Sequence, residues 1–547
     1  RPQQLVSTAS FAPPAPVMDN PLHDPQASQP IHFRIGTRGS HLAMWQAHFT
    51  KRQIEQHGGT VELIVISTQG DRIQNVAFDK MEGKGFFTKE IESALLEDRI
   101  DIAVHSHKDL ETTSPEGLCI AAVPARGPVE DVLIMHPSKR DDRTPLCISR
   151  KAIVGTSSHR RRAQLQTLQS DLDIVPLRGN VPTRVEKLRT GAYDAIVLAR
   201  AGIERLELDL SDLYVHVLPA NQFVPAPAQG ALGIQMRDSD SRLAWISSVL
   251  NDEATRDNIE RERGVLRELE GGCMLPFGAH VMQERLRCFL ETPDGPRLSE
   301  VHLDRHASIG EGTVHALSRL TNPLQGTVFL SKSSGTWPIF ESLAHAAGLK
   351  TVGQSLIHME ATEAPWPVAA VTTDWLWLHS PSAVEAMKSL IPTFPGDIAC
   401  AGKGTAAALA RISDQPAAWV GTGTPEKTHV DFAAILNVND SRVFVPHSDR
   451  SMNRWAGLTQ PERIIAWCAY ETTLHPSILT QHDVAVITSP SQWEAYAAGN
   501  HCASRIVTLG TSTAAAVKAN GNCSRIEVAS EPSEWEVWLA VERAFDS

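Results

Sequence analysis

A single cysteine in a glycine-rich loop is the residue with the clearest potential for covalent chemistry. Cys273 lies in the stretch LEGGCMLPFGAH, residues 269–280, with no second cysteine nearby, so its spacing fits neither a zinc knuckle nor a redox pair. Gly271 and Gly272 allow backbone conformations that would display the thiol in an open space. We predict that Cys273 can hold a group covalently; a buried structural cysteine is the alternative interpretation.

Basic side chains that could bind an anion are concentrated between residues 150 and 189. This stretch contains nine Lys or Arg residues against three acidic residues, a local charge of +6 in a chain whose formal net charge is −12. Because the arginine fork binds carboxylates in bidentate fashion, a ligand with several carboxylates would suit this cluster. A solvated helix face is the alternative. It accounts for Arg162, but poorly for Arg178 and Arg184, which follow a predicted strand in the loop LRGNVPTR.

Serines at predicted helix starts add backbone N–H groups to these arginines. In GTSSHRRR, Ser158 stands before Arg160 and Arg161, where free N–H groups and the positive end of the helix dipole favour an anion. Arg38 and Ser40 repeat this arrangement at the first predicted strand–helix turn.

A second group of reactive side chains occurs in the segment AVHSHKDL. Asp109 ends a predicted strand beside Lys108, where a carboxylate could stabilise a cation or exchange protons. His105 and His107 alternate along the strand, but no third ligand follows at a suitable spacing, so we predict no metal site. Upstream, lysines such as Lys84 surround a Gly-containing loop, DKMEGKGFFTKE, that could close over an anion.

The composition is that of an ordinary globular protein. With 547 residues, 42% of them hydrophobic and 21% charged, the chain has room for about three to five domains. No apolar run approaches the ~18 residues of a membrane span. The eight cysteines are scattered, which predicts a reducing, cytoplasmic location. The negative net charge argues against nucleic acid as a partner, because phosphate binding needs a basic face.

The elements that must position these residues alternate between strands and helices. The predicted buried strands lie at residues 31–37, 61–67, 100–104, 151–157 and 193–199. Residues 38–58 form a predicted helix with one apolar face. This alternation predicts an α/β fold with parallel sheets, whose ligands bind beyond the carboxyl ends of the strands. The candidate residues fall at such ends.

Taken together, these segments resemble hydroxymethylbilane synthase, also called porphobilinogen deaminase, from about residue 32 to 318. The resemblance rests on motifs in the family's order: RIGTRGSHLAMWQA, KGFFTKEIESALLEDRIDIAVHSHKDL, VGTSSHRRRAQL, LRGNVPTR, YDAIVLARAGIERL, PAQGALGI and LEGGC. It implies three α/β domains, two similar to the lobes of periplasmic binding proteins and a small third domain with the cysteine. It also implies stepwise condensation of four porphobilinogens, with loss of ammonia, into a linear tetrapyrrole.

The resemblance also implies roles for the residues above. Cys273 would hold a dipyrromethane cofactor, itself two porphobilinogen units, through a thioether. Asp109 would stabilise positive charge on the pyrrole nitrogens as ammonia leaves, with Lys108 beside it. The residues implied to bind cofactor and substrate carboxylates are Arg38, Ser40, Lys84, Ser106, Lys108, Ser158, Arg160, Arg161, Arg178 and Arg184. Porphobilinogen and polycarboxylate pyrroles are thus the predicted ligands. We expect no membrane partner and favour a monomer.

An internal repeat organises the remaining chain, from about residue 325. LHSPSAVEAM at 378 matches ITSPSQWEAY at 487, and CAGKGTAAALA at 400 matches TLGTSTAAAVK at 508. The offset is 109 residues from Ser380 to Ser489 and 108 from Thr405 to Thr513, which predicts two similar α/β lobes. Each of these side chains would stand at a helix start suited to carboxylates, with simple N-capping as the alternative.

This half resembles uroporphyrinogen-III synthase in its paired SPS and GxxTA motifs and in Tyr470 of WCAYETT, where that family has a hinge tyrosine. The implied reaction closes hydroxymethylbilane with inversion of its last ring. The implied site residues are Tyr470, Ser380, Ser489, Thr405 and Thr513. The whole chain is therefore predicted to be bifunctional. Two alternatives stay open: a deaminase with a non-catalytic C-terminal domain, and a module that only binds a polyanion.

The motifs also predict domain boundaries. They are a disordered tail at 1–30, deaminase domain 1 at 31–128 and 223–248, domain 2 at 129–222, domain 3 at 249–318, a linker at 319–325, synthase lobe A at 326–363 and 473–547, and lobe B at 367–470. EAPWP at 363–367 and YETTLHP at 470–476 are the predicted crossings between the two lobes.

Overall fold

The computed structural model describes ten segments of the chain. They are residues 30–68, 88–269, 275–303, 309–362, 366–421, 425–436, 441–450, 461–499, 503–520 and 523–546. Nearly all of the predicted tail lies outside them, as do Lys84, Cys273 and most of the predicted crossing at 363–367.

Strands and helices alternate through both halves of the chain, which confirms the predicted α/β class. The strands are β1 His32–Thr37, β2 Thr60–Val65, β3 Ile102–Ser106, β4 Leu118–Ala122, β5 Asp131–Met135, β6 Ile153–Gly155, β7 Asp173–Val175, β8 Ala195–Ala199, β9 Tyr214–Leu218, β10 Leu232–Arg237, β11 Phe277–Met282, β12 Arg285–Thr292, β13 Gly295–His302, β14 Thr327–Leu330, β15 Lys350–Gly353, β16 Ile357–Ala361, β17 Trp375–Leu378, β18 Asp397–Cys400, β19 Trp419–Val420, β20 Val443–Ser448, β21 Ile464–Leu474, β22 Val484–Ile487, β23 Arg505–Thr508 and β24 Arg525–Val528. The helices are α1 His41–Gln56, α2 Lys89–Leu96, α3 His159–Leu168, α4 Val181–Arg189, α5 Arg200–Arg205, α6 Leu243–Leu250, α7 Glu253–Glu268, α8 Ile309–Thr321, α9 Pro338–Ala346, α10 Pro381–Ala386, α11 Lys403–Ile412, α12 Pro425–Leu436, α13 Pro490–Ala498, α14 Thr511–Asn520 and α15 Glu534–Ala544.

The first sheet has the strand order β2-β1-β3-β10-β4. β2, β1 and β3 run parallel, but β10 is antiparallel to both β3 and β4. The prediction of parallel sheets is therefore wrong in part, because the chain returns from the second sheet and inserts β10 between two earlier strands. β1 and β3 are parallel neighbours, so their carboxyl ends at Thr37 and Ser106 share one edge.

The second sheet is also mixed and has the order β7-β6-β8-β5-β9. β7, β6 and β8 are parallel, whereas β5 is antiparallel to β8 and β9. The chain enters this sheet between β4 and β5 and leaves it between β9 and β10. Two segments therefore connect the first two sheets, and the candidate residues lie around them.

Side-chain caps explain where the helices near the site begin. Ser40, Ser158 and Asn180 each accept a hydrogen bond from the backbone N–H three residues later, at 3.3, 3.4 and 2.9 Å. Each cap follows the end of a strand, so an apolar run ends and a capped helix begins within a few residues. These local signals are the ones that a sequence can show.

A three-stranded antiparallel sheet, β11-β12-β13, forms a third unit with α7 and α8. Its apolar core includes Val265 of α7, Phe277 and Cys288 of the sheet and Leu320 of α8. Helix α7 ends at Glu268, just before the segment that contains Cys273. This unit therefore leads into the segment with the predicted covalent site.

The second half of the chain folds around two further sheets. One is parallel with the order β15-β14-β22-β23-β24, and the other has the order β16-β21-β20-β17-β18-β19. The predicted repeat has a structural counterpart, because β17–α10 matches β22–α13 and β18–α11 matches β23–α14. Each sheet receives one copy of the repeated strand–helix motifs.

The two sheets of the second half are joined by a two-stranded antiparallel ribbon, β16 and β21. β16, which precedes the predicted crossing at 363–367, pairs with β21 in the six-stranded sheet. Ile357 and Leu474, at one end of the ribbon, pack against the core of the five-stranded sheet. Met359 and Tyr470 pack within the core of the six-stranded sheet. The ribbon thus belongs to both cores.

The two halves of the chain share one apolar core at their seam. Phe289 and Leu298 of the three-stranded sheet pack in the same cluster as Phe340 of α9 and Trp538 of α15. The indole Nε1 of Trp538 donates to the carbonyl of Leu298 at 2.7 Å. Across the described residues, no helix has the length and apolar character needed to cross a membrane.

Candidate functional site

The turn after β3 carries the two residues predicted to lie closest to the chemistry. β3 is buried and leads into a short 3-10 turn, His107–Asp109. Asp109 is exposed and Lys108 is half-buried, whereas His107 is buried. A Cβ atom at Gly233 of β10 would lie 3.3 Å from the His107 ring, so the bare glycine permits this close packing. His107 is therefore packed inside the protein, and the Asp109 carboxylate remains accessible.

The side chain of Lys108 is bonded to a buried amide. Its Nζ donates to Oε1 of Gln229 at 3.2 Å. Burial, and then the neighbouring Arg161, lower the pKa of Lys108 to about 8, while Asp109 and Asp131 oppose the shift. The ammonium is therefore still mostly protonated at pH 7, and a ligand carboxylate placed beside it would stabilise its charge.

Asp131, the first residue of β5, lies at the centre of a buried ion cluster. Its Oδ1 accepts from Arg161 Nη2 at 2.7 Å and from Gln229 Nε2 at 3.1 Å, and its Oδ2 accepts from Arg160 Nη2 at 2.8 Å. Burial alone would raise the pKa of Asp131, but the two guanidinium groups outweigh it and hold the pKa well below its usual range. This cluster ties α3, β5 and the turn before β10 to one another.

Arg160 and Arg161 lie in a different setting from the open, ligand-binding one that we predicted. They are 4% and 7% exposed, and besides Asp131 they donate to the carbonyls of Val224 and Val197, at 2.8 and 3.1 Å. Buried charges require this degree of pairing, because desolvation is otherwise too costly. The structure gives both arginines a supporting position, and direct contact with ligand carboxylates stays a prediction for them.

Arg178 lies just before α4, and Arg184 lies in the first turn of this helix. Arg184 Nε donates to the carbonyl of Gly179 at 2.7 Å. Burial, and then Arg161, lower the pKa of Arg184 to about 10, and Asp109 opposes the shift. Arg161 and Asp109 thus both act electrostatically on Arg184, although the three residues come from separate motifs.

The residues predicted at the first strand–helix turn lie at the same sheet edge. Arg38, which is half-buried, and Ser40 follow β1, and Ser40 caps α1. Gln46 of α1 donates through Nε2 to the Ser106 hydroxyl at 2.8 Å, at the end of β3. Helix α1 is therefore bonded to the strand that leads into the Lys108 and Asp109 turn.

The two histidines of this segment are core residues. The Nε2 of His105 lies 3.1 Å from Oε1 of Gln235, and burial lowers the pKa of His105 to about 4. Burial, and then Arg263, lower the pKa of His107 to about 3. Both rings are therefore neutral at pH 7. In the described part of the chain, no three His, Cys, Asp or Glu side chains are grouped to hold a metal ion.

A buried glutamate of helix α7 bonds the two segments that connect the first two sheets. Glu262 accepts from both Nη atoms of Arg126, at 2.7 and 2.8 Å, from the Ala228 N–H at 2.8 Å, and lies 3.0 Å from Nδ1 of His280. Burial alone would raise the pKa of Glu262, but Arg126 and His280 lower it to about 2. The carboxylate thus fixes the helix that leads to Cys273, whose own attachment chemistry stays a prediction.

Sequence reasoning does not single out three further residues of this region: Asp131, Gln229 and Arg205. Asp131 directly precedes the apolar run VLIM, and a lone acid there is a signal for a buried ion pair with the arginine-rich helix. Gln229 lies within PAQGALGI. Arg205 donates to the Gly230 carbonyl at 2.6 Å, and burial lowers its pKa to about 10.

The candidate residues of the second half divide between its two sheets. Ser380 caps α10 and Ser489 caps α13, accepting backbone hydrogen bonds at 3.1 and 3.3 Å, so the N-capping interpretation describes both. Thr405 and Thr513 are 4% and 3% exposed, in α11 and α14. Tyr470 is 3% exposed on the ribbon, with its hydroxyl 3.4 Å from Nε2 of His379.

The fold and the site together define a mixed α/β protein with a site rich in basic side chains, where two of its sheets meet. The family description "Porphobilinogen deaminase, dipyromethane cofactor binding domain" matches residues 33–244. The porphobilinogen deaminase of Nitratidesulfovibrio vulgaris (strain DP4) is 46% identical over 254 residues, which are 46% of this chain and 79% of that protein. The porphobilinogen deaminase of Sulfurimonas denitrificans is 44% identical over 271 residues, 48% of this chain and 85% of that protein. This chain therefore belongs to the porphobilinogen deaminase family.

Among solved structures, an arginine-specific periplasmic binding protein of Salmonella typhimurium is 12% identical. The likeness covers 41% of this chain and 94% of that chain, with a TM-score of 0.26.

The family's cofactor is dipyrromethane, and the charges of the site suit a polycarboxylate of that kind. Basic groups in the cluster outnumber acidic groups by four to two, which leaves net positive charge for a ligand. The basic residues are Lys108, Arg160, Arg161 and Arg184, and the acidic residues are Asp109 and Asp131. Lys108 and Arg184 are the half-buried basic groups of this cluster, whereas Arg160 and Arg161 are buried.

Proposed function

We propose that the first half of this chain condenses four porphobilinogens, with release of ammonia, into hydroxymethylbilane on a dipyrromethane primer attached to Cys273. The exposed Asp109 carboxylate, set beside Lys108 and Arg184, is the observation that carries this proposal. Family membership supports it independently. When bound, the dipyrromethane supplies the pyrrole carbon to which new units are joined.

Substrate binding is the task that we assign to the basic groups. Each porphobilinogen carries two carboxylates, and Lys108 and Arg184 would each bind one through charge-assisted hydrogen bonds. Arg38 follows β1 and Arg178 follows β7, and both would bind carboxylates further along the growing chain. The Asp131 cluster would keep these groups in place, since Gln229 bonds both Asp131 and Lys108.

Charge stabilisation is the task that we assign to Asp109. When the C–N bond of porphobilinogen breaks, its electron pair leaves with ammonia, and positive charge passes to the pyrrole nitrogen. A carboxylate beside that nitrogen accepts its N–H and lowers the energy of the charged state. Lys108 and Arg184 fix the ring by its carboxylates, so that the nitrogen is held against Asp109.

We propose in addition that the second half closes hydroxymethylbilane to uroporphyrinogen III. The two repeated lobes and the ribbon between them support this, together with the position of Tyr470 on that ribbon. The product of the first half would be the substrate of the second, so a covalent connection raises its local concentration at the second site.

One experiment tests both proposals. The purified full chain is incubated with porphobilinogen alone, the product is oxidised, and the uroporphyrin isomers are separated by chromatography. We expect mostly type III. Type I alone would leave the first proposal standing and contradict the second. No porphyrin from folded protein would contradict the roles of Asp109 and Cys273.

The intact mass of the protein provides the control for the covalent site. We expect a mass increment of two pyrrole units in the wild type and in Cys468→Ser, and its absence in Cys273→Ser. Cys468 lies on the ribbon strand of the second half and makes a suitable matched change.

A further inference from the structure

Arg263 of α7 bonds the turn that carries Asp109. The guanidinium is 4% exposed, and its Nη1 donates to the carbonyls of His107 and Leu110 at 3.0 and 3.3 Å. Its Nη2 donates to Leu110 at 3.4 Å and also to the carbonyl of Glu111. These three carbonyls flank Asp109 on both sides.

The helix that supplies Arg263 is also the one that leads to Cys273. α7 ends at Glu268, five residues after Arg263 and five before the cysteine. The preceding residue, Glu262, bonds Arg126 and the Ala228 N–H, in the two segments that connect the first two sheets. Two adjacent residues of the helix are thus bonded to chain outside the third unit. A change at Arg263 therefore alters the turn without removing the Glu262 attachment.

We infer that Arg263 is a positioning residue that sets where the Asp109 carboxylate lies relative to the helix entering the Cys273 loop. The inference rests on the proposed role of Asp109. Inside the turn only the His107 carbonyl accepts a backbone hydrogen bond among the described residues, from the Leu110 N–H at 3.3 Å. Arg263 adds donors to this carbonyl and to those of Leu110 and Glu111. A guanidinium offers five N–H donors in a planar fork, so one side chain can reach three carbonyls and orient the turn.

The same helix offers a matched control in Arg256. Its Nη2 and Nη1 donate to the carbonyls of Ile120 and Ala121, at 3.2 and 3.5 Å. Both arginines thus connect α7 to backbone carbonyls of the first sheet unit, but only Arg263 reaches the Asp109 turn. Arg263→Gln and Arg256→Gln each remove guanidinium hydrogen bonds to backbone carbonyls. In Arg263→Gln the carbonyls belong to the Asp109 turn, and in Arg256→Gln they belong to β4.

The test compares Arg263→Gln, Arg263→Lys and Arg256→Gln in the full chain. For each we measure the intact mass, the thermal midpoint, and kcat and KM for porphobilinogen. We expect Arg263→Gln to retain the mass of the attached cofactor and a KM within about two-fold of wild type, with kcat lower by about ten- to a hundred-fold. Arg256→Gln should keep kcat within about two-fold of the wild type, and its thermal midpoint should be similar to that of Arg263→Gln.

Arg263→Lys keeps the charge but donates from a single point, so its kcat should lie between those of the wild type and Arg263→Gln. If Arg263→Gln does not fold, the kcat of Arg263→Lys tests the inference instead. Equal kcat values for Arg263→Gln and Arg256→Gln would overturn the inference, as would a loss explained by KM or by a missing cofactor.

A double variant separates this inference from the function on which it rests. If Arg263 acts through Asp109, Arg263→Gln should lower kcat little further in an Asp109→Asn background. A full further loss in that background would overturn the inference while leaving the proposed function intact. Absence of ammonia release by the wild type would instead contradict the proposed function itself.

Discussion

Single residues at the site differ in how completely the protein satisfies their charges. Asp131 is bonded on both oxygens and is surrounded by cations. Lys108 has one amide partner, and Asp109 is exposed with no hydrogen-bond donor to its carboxylate among the described residues. Fully paired groups hold the structure, whereas partly paired groups remain able to act on a ligand. Burial, and then Arg161, lower the pKa of Lys108, and its neighbours Asp109 and Asp131 only partly oppose this shift.

We predict that kcat/KM for porphobilinogen falls as the pH rises through about 8, because the pKa of Lys108 is lowered to that value by burial and by Arg161. A base is charged below its pKa and neutral above it, so Lys108 loses its attraction for carboxylates on the alkaline side. The decline should approach ten-fold per pH unit. Lys108→Arg keeps its charge above pH 8 and should remove the decline between pH 8 and 9.5.

Lys51→Arg is the control, since Lys51 lies on α1 and pairs with Glu55. Its profile should follow the wild type, and the substrate's own titration is the same for all three proteins. An unchanged alkaline decline in Lys108→Arg would show that another group controls it.

At the scale of elements, the turn before β10 decides how the first two sheets meet. Gly230 has a φ of +86°, and its carbonyl accepts from Arg205 and from the Gly127 N–H. A Cβ atom there would lie 2.5 Å from the Pro128 carbonyl oxygen and 2.7 Å from that of Gly127. These neighbours are backbone atoms and cannot rotate away, so this turn requires glycine.

We predict that Gly230→Ala destabilises the protein more than Gly58→Ala. Gly58 has a φ of +84°, and a Cβ atom on it would meet no other atom within 4 Å, so alanine there adds backbone strain of about 1 kcal/mol only. Gly230→Ala adds overpacking of about 1–3 kcal/mol to the same strain. Thermal unfolding of both variants measures the difference, and equal midpoints would contradict the predicted clash.

The elements near the site show which parts of the fold a sequence can predict. β1, α1 and α3 are found from apolar runs and adjacent serine caps, because both signals are local. The insertion of β10 between β3 and β4 depends on pairing between Leu232 and Ser106, more than a hundred residues apart, and no local pattern shows it. The Asp131 cluster is missed for the same reason, since the hydrogen-bond partners of Asp131 come from α3 and from the turn before β10, two segments distant from it in the sequence.

At the scale of the whole molecule, the seam between the halves contains buried charges as well as apolar side chains. Arg287 of β12 pairs with Glu536 of α15 at 2.8 Å. Glu542 of α15 is 3% exposed, accepts from the Glu300 N–H at 3.3 Å and lies 3.6 Å from Arg319. Opposite charges in two distant segments give no signal in the sequence. The sequence therefore predicts only a linker at 319–325 and does not predict this contact.

We predict that the seam weakens as the pH rises through 7. Burial raises the pKa of Glu542 to about 7 from an ordinary value of 4.5. A carboxyl with a raised folded-state pKa stabilises the fold fully below 4.5, and this contribution is lost as the pH rises through 7. Glu542→Gln cannot titrate, so its thermal midpoint should fall less than that of the wild type between pH 5 and 8.

Glu531→Gln changes an exposed glutamate just before α15 and should follow the wild type across the same pH range. If Glu542→Gln also follows the wild type, Glu542 does not control the pH response of the seam.

The contact between Trp538 and Leu298 sets an order of events during protein synthesis. The two residues are 240 positions apart in the sequence. A ribosome that adds about 5–20 residues per second makes the second roughly 10 to 50 s after the first. During that interval the apolar face of the three-stranded sheet has been made but lacks its cover. This face therefore stays uncovered until α15 is made, and a nascent chain that stops short of α15 would expose it to chaperones and proteases.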